Sequence, residues 1–135
     1  MKTLMHFTLA LSLALPVTAV AQEVREVHFG AGNFGTMIEG TITGHDYLDY
    51  RLGAGAGQQM FVELAVTRSD GFGNVNFNVM PPGAEWEVIY ISSNDGNSAT
   101  VDLPEDGTYT IRVYHLGNDE DAGATSAFTL DLSIQ

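Results

Sequence analysis

The sequence predicts an all-β protein, an antiparallel β-sandwich of about eight or nine short strands, on three observations. Apolar and polar residues alternate over short runs, most cleanly in Val75-Asn76-Phe77-Asn78-Val79 and in Phe128-Thr129-Leu130-Asp131-Leu132-Ser133-Ile134. That two-residue period is the mark of a half-buried strand. Gly, Asn, Asp or Pro separate the runs at regular spacing, and nothing after residue 21 carries a convincing helical period. Strands without helices can bury their apolar faces only against one another, as a sandwich or a barrel.

Taken in order, residues 1–21 read as an export signal. Met1-Lys2 is a short basic head, Phe7 to Leu15 an apolar run, and Ala19-Val20-Ala21 a small-residue cleavage site before Gln22. The apolar run is too short to span a bilayer. Residues 22–135 are expected to form a single domain.

A weak alternation from Val24 to Phe29 begins the β pattern. In Thr36 to Thr43, Met37, Glu39, Thr41 and Thr43 face one way and Thr36, Ile38, Gly40 and Ile42 the other. Asp46 to Leu52 follows the Gly44-His45 turn, and Gln59 to Val66 follows the glycine-rich Gly53-Ala54-Gly55-Ala56-Gly57. After Pro81-Pro82-Gly83 a strand is expected to resume from Trp86 to Ser92, and Ala99 leads to Leu103. The turn Pro104-Glu105-Asp106-Gly107 then opens a strand with Tyr109, Ile111 and Val113 on its core face. The polar loop Gly117-Asn118-Asp119-Glu120-Asp121-Ala122-Gly123 separates it from the last strand.

Beyond residue 21, four arginines stand against 17 acidic residues, a formal charge of −13 for residues 22–135. Such a surface repels nucleic acid and anionic lipid and attracts cationic proteins, besides keeping the chain soluble. There is no cysteine, so the core must suffice without disulfides. A domain of this length buries roughly two-thirds of its unfolded surface, which is enough.

The sequence does not support catalysis, and no catalytic residue, cofactor or metal is predicted. His28, His45 and His115 fall on separate elements without ligand partners at close spacing. There is no G-x-S-x-G elbow and no phosphate-cradling glycine loop. Asp119, Glu120 and Asp121, and separately Asn94, Asp95 and Asn97, offer oxygens to calcium, but neither segment has EF-hand spacing. Trp86, between Glu85 and Glu87, reads as a core or edge tryptophan before a sugar platform. One of Tyr47 and Tyr50, three apart, should be core and the other exposed.

Rigid scaffolds commonly carry function on loops, so the loop after Tyr114 is the first place to expect a partner. The pattern Gly40-x-Ile42-x-Gly44-x-Asp46-Tyr47-x-x-Tyr50, then Ala56-Gly57-Gln58, then Leu103-Pro104-x-x-Gly107-x-Tyr109-x-x-Arg112-Val113 and Asn118-Asp119, resembles the bacterial periplasmic inhibitors of g-type lysozyme. It is similar to the inhibitors of invertebrate-type lysozyme, and in outline to the prepeptidase C-terminal type of secreted β-sandwich. The resemblance implies a periplasmic or secreted sandwich that blocks a lysozyme cleft with loops. The expected partner is a cationic lysozyme, with no nucleic acid and, after signal removal, no membrane; the oligomeric state stays open.

The implied partner-binding residues are Asp106, Tyr109, Leu116, Gly117, Asn118, Asp119, Glu120 and Asp121. The family's S-G-x-Y turn is here Asp106-Gly107-Thr108-Tyr109. Where g-type inhibitors carry two loop arginines, this chain has Gly117 and Asp121. A guanidinium pairs with cleft carboxylates, whereas Asp121 is repelled by them. The loop is expected to be removable with little loss of stability. The alternative is a general secreted binding module for calcium or a glycan, without a lysozyme target.

Overall fold

The computed structural model describes residues 13–15 and 22–135. The expected signal, residues 1–21, lies outside the described residues except for 13–15. The remainder forms two facing sheets. The strands are β1 (Gln22–Glu26), β2 (Gly35–Thr43), β3 (Tyr47–Ala54), β4 (Gln59–Ser69), β5 (Val75–Met80), β6 (Tyr90–Ile91), β7 (Ser98–Asp102), β8 (Gly107–His115) and β9 (Thr125–Ile134). One sheet has the order β1-β3-β8-β5-β6 and the other β2-β9-β4-β7.

The core lies between them. β3 contributes Leu48, Tyr50 and Leu52, β5 contributes Val75, Phe77 and Val79, and β8 contributes Tyr109, Ile111 and Val113. Met60, Val62 and Leu64 of β4 and Phe128, Leu130, Leu132 and Ile134 of β9 face them. The two-residue period therefore puts alternate side chains inside, as the sequence predicts for β2, β5, β8 and β9. Tyr50 is fully buried and meets Phe128 edge-on at 6.5 Å between ring centroids; Tyr47 is half-buried.

Three features depart from expectation. The pairing is not wholly antiparallel, because β1 runs parallel to β3. β2 lies between them in sequence but in the other sheet, so two reversals return β3 to the direction of β1. The strand expected from Trp86 to Ser92 shrinks to Tyr90–Ile91, and Trp86 is 83% exposed rather than core. Pro81 and Pro82 lack the N–H a ladder needs, so the chain leaves the sheet after Met80. Two single helical turns, α1 (Ser92–Asp95) and α2 (Asn118–Asp121), occur where no helix is expected; four residues are too few to show a period.

Candidate partner-binding site

β8 divides the expected site. Its nine residues span about 27 Å at roughly 3.3 Å per residue. Asp106 and Tyr109 sit near one end, and Leu116 through Asp121 follow the other.

The first end is a frame. Tyr109 is fully buried. Its hydroxyl donates to the Glu105 carbonyl at 2.7 Å and accepts from the Glu105 N–H at 3.0 Å, a tyrosine corner that fixes the turn. Buried and engaged with Glu105, the hydroxyl serves the turn, so a role of Tyr109 in partner binding would be through the turn it holds. Asp106 is exposed, and its Oδ1 accepts from the Ala56 N–H at 2.7 Å. The Gly57 N–H donates to the Leu103 carbonyl, and the Leu103 N–H to that of Gln58. The Ala56-Gly57-Gln58 and Leu103-Pro104 motifs are thus bonded to each other. Gly107 has φ 141°, and a Cβ there would lie 2.8 Å from Pro82, so this turn requires glycine.

The second end gathers the 44–45 turn, residues 70–74 and the 116–124 segment. Asp119, expected to be a solvated loop acid, is only 2% exposed. Its two oxygens accept from the Phe72 and Asn74 N–H groups, each at 2.8 Å. These two backbone donors hold its pKa below the ordinary carboxylate value, and nearby His115 adds a smaller lowering. Gly71 packs so closely on Asp119 that a Cβ would overlap the carboxylate and sit 2.9 Å from the Ala124 Cβ. The Leu116 N–H donates to the Asn74 carbonyl, whose side-chain amide donates back to the Leu116 carbonyl at 3.1 Å. Buried His115 contacts the Ser126 hydroxyl at 2.8 Å and the Gly44 carbonyl at 3.3 Å. The loop is therefore part of the fold, and removing it would strip the 70–74 segment of its anchor; the expectation of a dispensable loop is corrected.

At this end Gly117, Asn118 and Asp121 are exposed, and Leu116 and Glu120 are half-buried. Two residues outside the expected set join them. Phe72 is 85% exposed beside the Asp119 anchor. His45 sets Nδ1 2.9 Å from Glu120 and Nε2 3.6 Å from Asp121. Neither is visible from local spacing, because both meet the loop only through the fold. A cleft of about 270 Å³ leads from His45 and Glu120 along the five-stranded sheet to Tyr47 and Arg112.

There Arg112 grips Asp49 with Nε at 2.8 Å and Nη2 at 2.9 Å. Gln22 donates to the same carboxylate at 2.8 Å, and the guanidinium lies 4.4 Å above the Tyr47 ring. The hydrogen bond to Asp49 raises the Arg112 pKa above its ordinary value. A larger hollow of about 420 Å³, by Arg25, Arg68 and Phe128, contains none of the expected site residues.

No family model matches the chain. The crystal structure of Aeromonas hydrophila PliG, a periplasmic lysozyme inhibitor of g-type lysozyme, is 33% identical, with TM-score 0.77 over 87% of this chain and 100% of that one. The chain belongs to the PliG family of periplasmic inhibitors of g-type lysozyme. The Escherichia coli inhibitor of g-type lysozyme is 25% identical over 136 residues, covering 99% of this chain and 98% of the relative. The pre-peptidase C-terminal domain of a Bacillus anthracis collagenase shares the fold alone, at 14% identity and TM-score 0.53 over 87% of this chain and 97% of that one. The PliG family consists of binding proteins, not enzymes.

Proposed function

We propose that this protein is exported to the periplasm and inhibits a g-type lysozyme by lodging its 116–121 end in the enzyme's cleft. The observation that carries the reading is the 33% identity and TM-score 0.77 with Aeromonas hydrophila PliG across the whole of that inhibitor. The geometry supports it in a further way. Asp119 preorganises the loop against residues 72–74, so little conformational freedom is lost on docking. Phe72 gives an apolar anchor at the same end.

Gly117 and Asp121 stand where the family resemblance implies arginines. Docking here proceeds without those charge-assisted pairs and rests on shape, on Phe72 and on long-range attraction to a cationic enzyme. Gly117→Arg with Asp121→Arg should therefore tighten binding to a g-type lysozyme. The test is residual lytic activity of g-type, invertebrate-type and chicken-type lysozymes against purified protein at low salt. Inhibition of the g-type enzyme, lost on Phe72→Ala with Asn118→Ala, supports the reading. Failure to inhibit at micromolar concentration overturns it and leaves a secreted binding module with another ligand. The export step is checked by mass spectrometry, which should find the N-terminus at or near Gln22.

A further inference from the structure

We propose that His45, Glu120 and Asp121 form a binding site for a divalent transition metal ion, zinc before any other. One ligand atom from each lies within 4.8 Å of the others, and rotation of exposed side chains closes this to the roughly 3.3 Å between donors on a tetrahedral zinc with bonds near 2.0–2.1 Å. Each nitrogen of His45 faces a carboxylate, Nδ1 at 2.9 Å and Nε2 at 3.6 Å. The three side chains thus set an imidazole nitrogen and two carboxylates together at one exposed point, where a metal ion would take the place of the direct His45–carboxylate contacts. Among the described residues, the arginine ion pairs engage Glu23, Glu26 and Asp49 and reach neither Glu120 nor Asp121.

The ligands come from two segments that the backbone already joins. The Gly44 N–H donates to the Ala124 carbonyl at 2.9 Å, and the buried Asp119 anchors the turn that bears Glu120 and Asp121. The backbone thus already brings the two segments together, and gathering one His45 nitrogen with both carboxylates is left to the side chains. One imidazole and two carboxylates, open to solvent, supply nitrogen and oxygen ligands of the kinds zinc takes, with room left for water. Calcium, which takes six to eight oxygens, would find too few.

The test is a calorimetric titration of the purified protein with zinc chloride, and separately with calcium chloride, alongside thermal melts in each salt. One zinc per chain, with a rise in Tm, is the expected result. His45→Gln and Glu120→Gln should each weaken zinc binding about tenfold or more and remove the Tm rise, while His28→Gln changes neither. No saturable binding at millimolar zinc, equal or tighter binding of calcium, or binding that survives both site variants and is lost with His28→Gln would overturn the site. No lysozyme is present in this titration, so its outcome bears on the metal site alone and leaves the inhibitor reading untouched.

Discussion

Replacing Arg112 by methionine measures how far the outer face of the five-stranded sheet is held by one ion pair. The Arg112 and Asp49 side chains are 23% and 5% exposed, so this is a largely desolvated pair and not a surface contact. Methionine keeps most of the stem but removes both hydrogen bonds, at 2.8 and 2.9 Å, and the contact over Tyr47. Asp49 is then left buried with Gln22 as its side-chain donor. Breaking a buried pair from one side costs about 3–5 kcal/mol. The retained Gln22 bond and the partly open guanidinium place the loss near the lower end, about 3 kcal/mol. That is a large share of the roughly 5–15 kcal/mol that stabilises a domain, and it should lower Tm by about 10 °C.

Urea unfolding followed by circular dichroism is the assay, since Trp86 is exposed in the folded state and its fluorescence would report little. Arg112→Met with Asp49→Leu removes both charges and should recover much of the loss, giving a non-additive double-mutant cycle. A loss below about 1 kcal/mol, as for an exposed pair, with additive variants, would refute the reasoning.

Three further outcomes are expected. Asp119 has a depressed folded-state pKa, so its contribution is present above the unfolded carboxylate value of 3.8 and lost as pH falls through the lower folded value. Urea midpoints should accordingly show the parent protein more stable than Asp119→Asn at neutral pH, with the two converging below about pH 4; a gap unchanged into strong acid would contradict this. Tyr109→Phe keeps the ring but breaks the corner to Glu105, and should cost about 0.5–1.5 kcal/mol of stability with unchanged lysozyme inhibition. Association with a cationic lysozyme should slow as salt rises, because steering is screened over about 8 Å at physiological ionic strength, and stopped-flow rates that ignore salt would count against it.

The sequence showed the faces of the strands because the two-residue period is local. Tyr109, Ile111 and Val113, or Phe128 through Ile134, reveal their buried side without knowledge of any partner strand. What it hid depends on residues distant in the chain. Asp119 reads as one of three loop acids and is the buried one, because backbone N–H groups from residues 72 and 74 arrive to meet it. His45 has no ligand partner nearby in sequence and two carboxylates nearby in space. The parallel β1–β3 pair follows from β2 crossing to the other sheet, which alternation cannot reveal. Trp86 misled through its own size: a large ring suggests core, but the prolines before it had already ended the ladder.

The residues that carry the family resemblance are mostly engaged with one another. Gln58 and Leu103 share a backbone hydrogen bond, Tyr109 closes the turn after Pro104, Arg112 stacks on Tyr47, and Asp119 binds the 72–74 backbone. Their shared job is to build the sandwich and present its loop end, and that job is independent of what the loop meets. On the proposed reading, recognition falls to the residues the frame leaves open, namely Gly117 with its backbone and Asn118, Glu120, Asp121, His45 and Phe72 with their side chains. Two of these, Gly117 and Asp121, are where this chain departs from the arginines that the resemblance implies. Exchanging them alters charge at the exposed tip without touching Asp119, Arg112 or the corner. A change of lysozyme preference should therefore be reachable at position 121 while the urea midpoint stays fixed, whereas Gly117→Arg forces a side chain onto a backbone at φ 64° and should lower that midpoint.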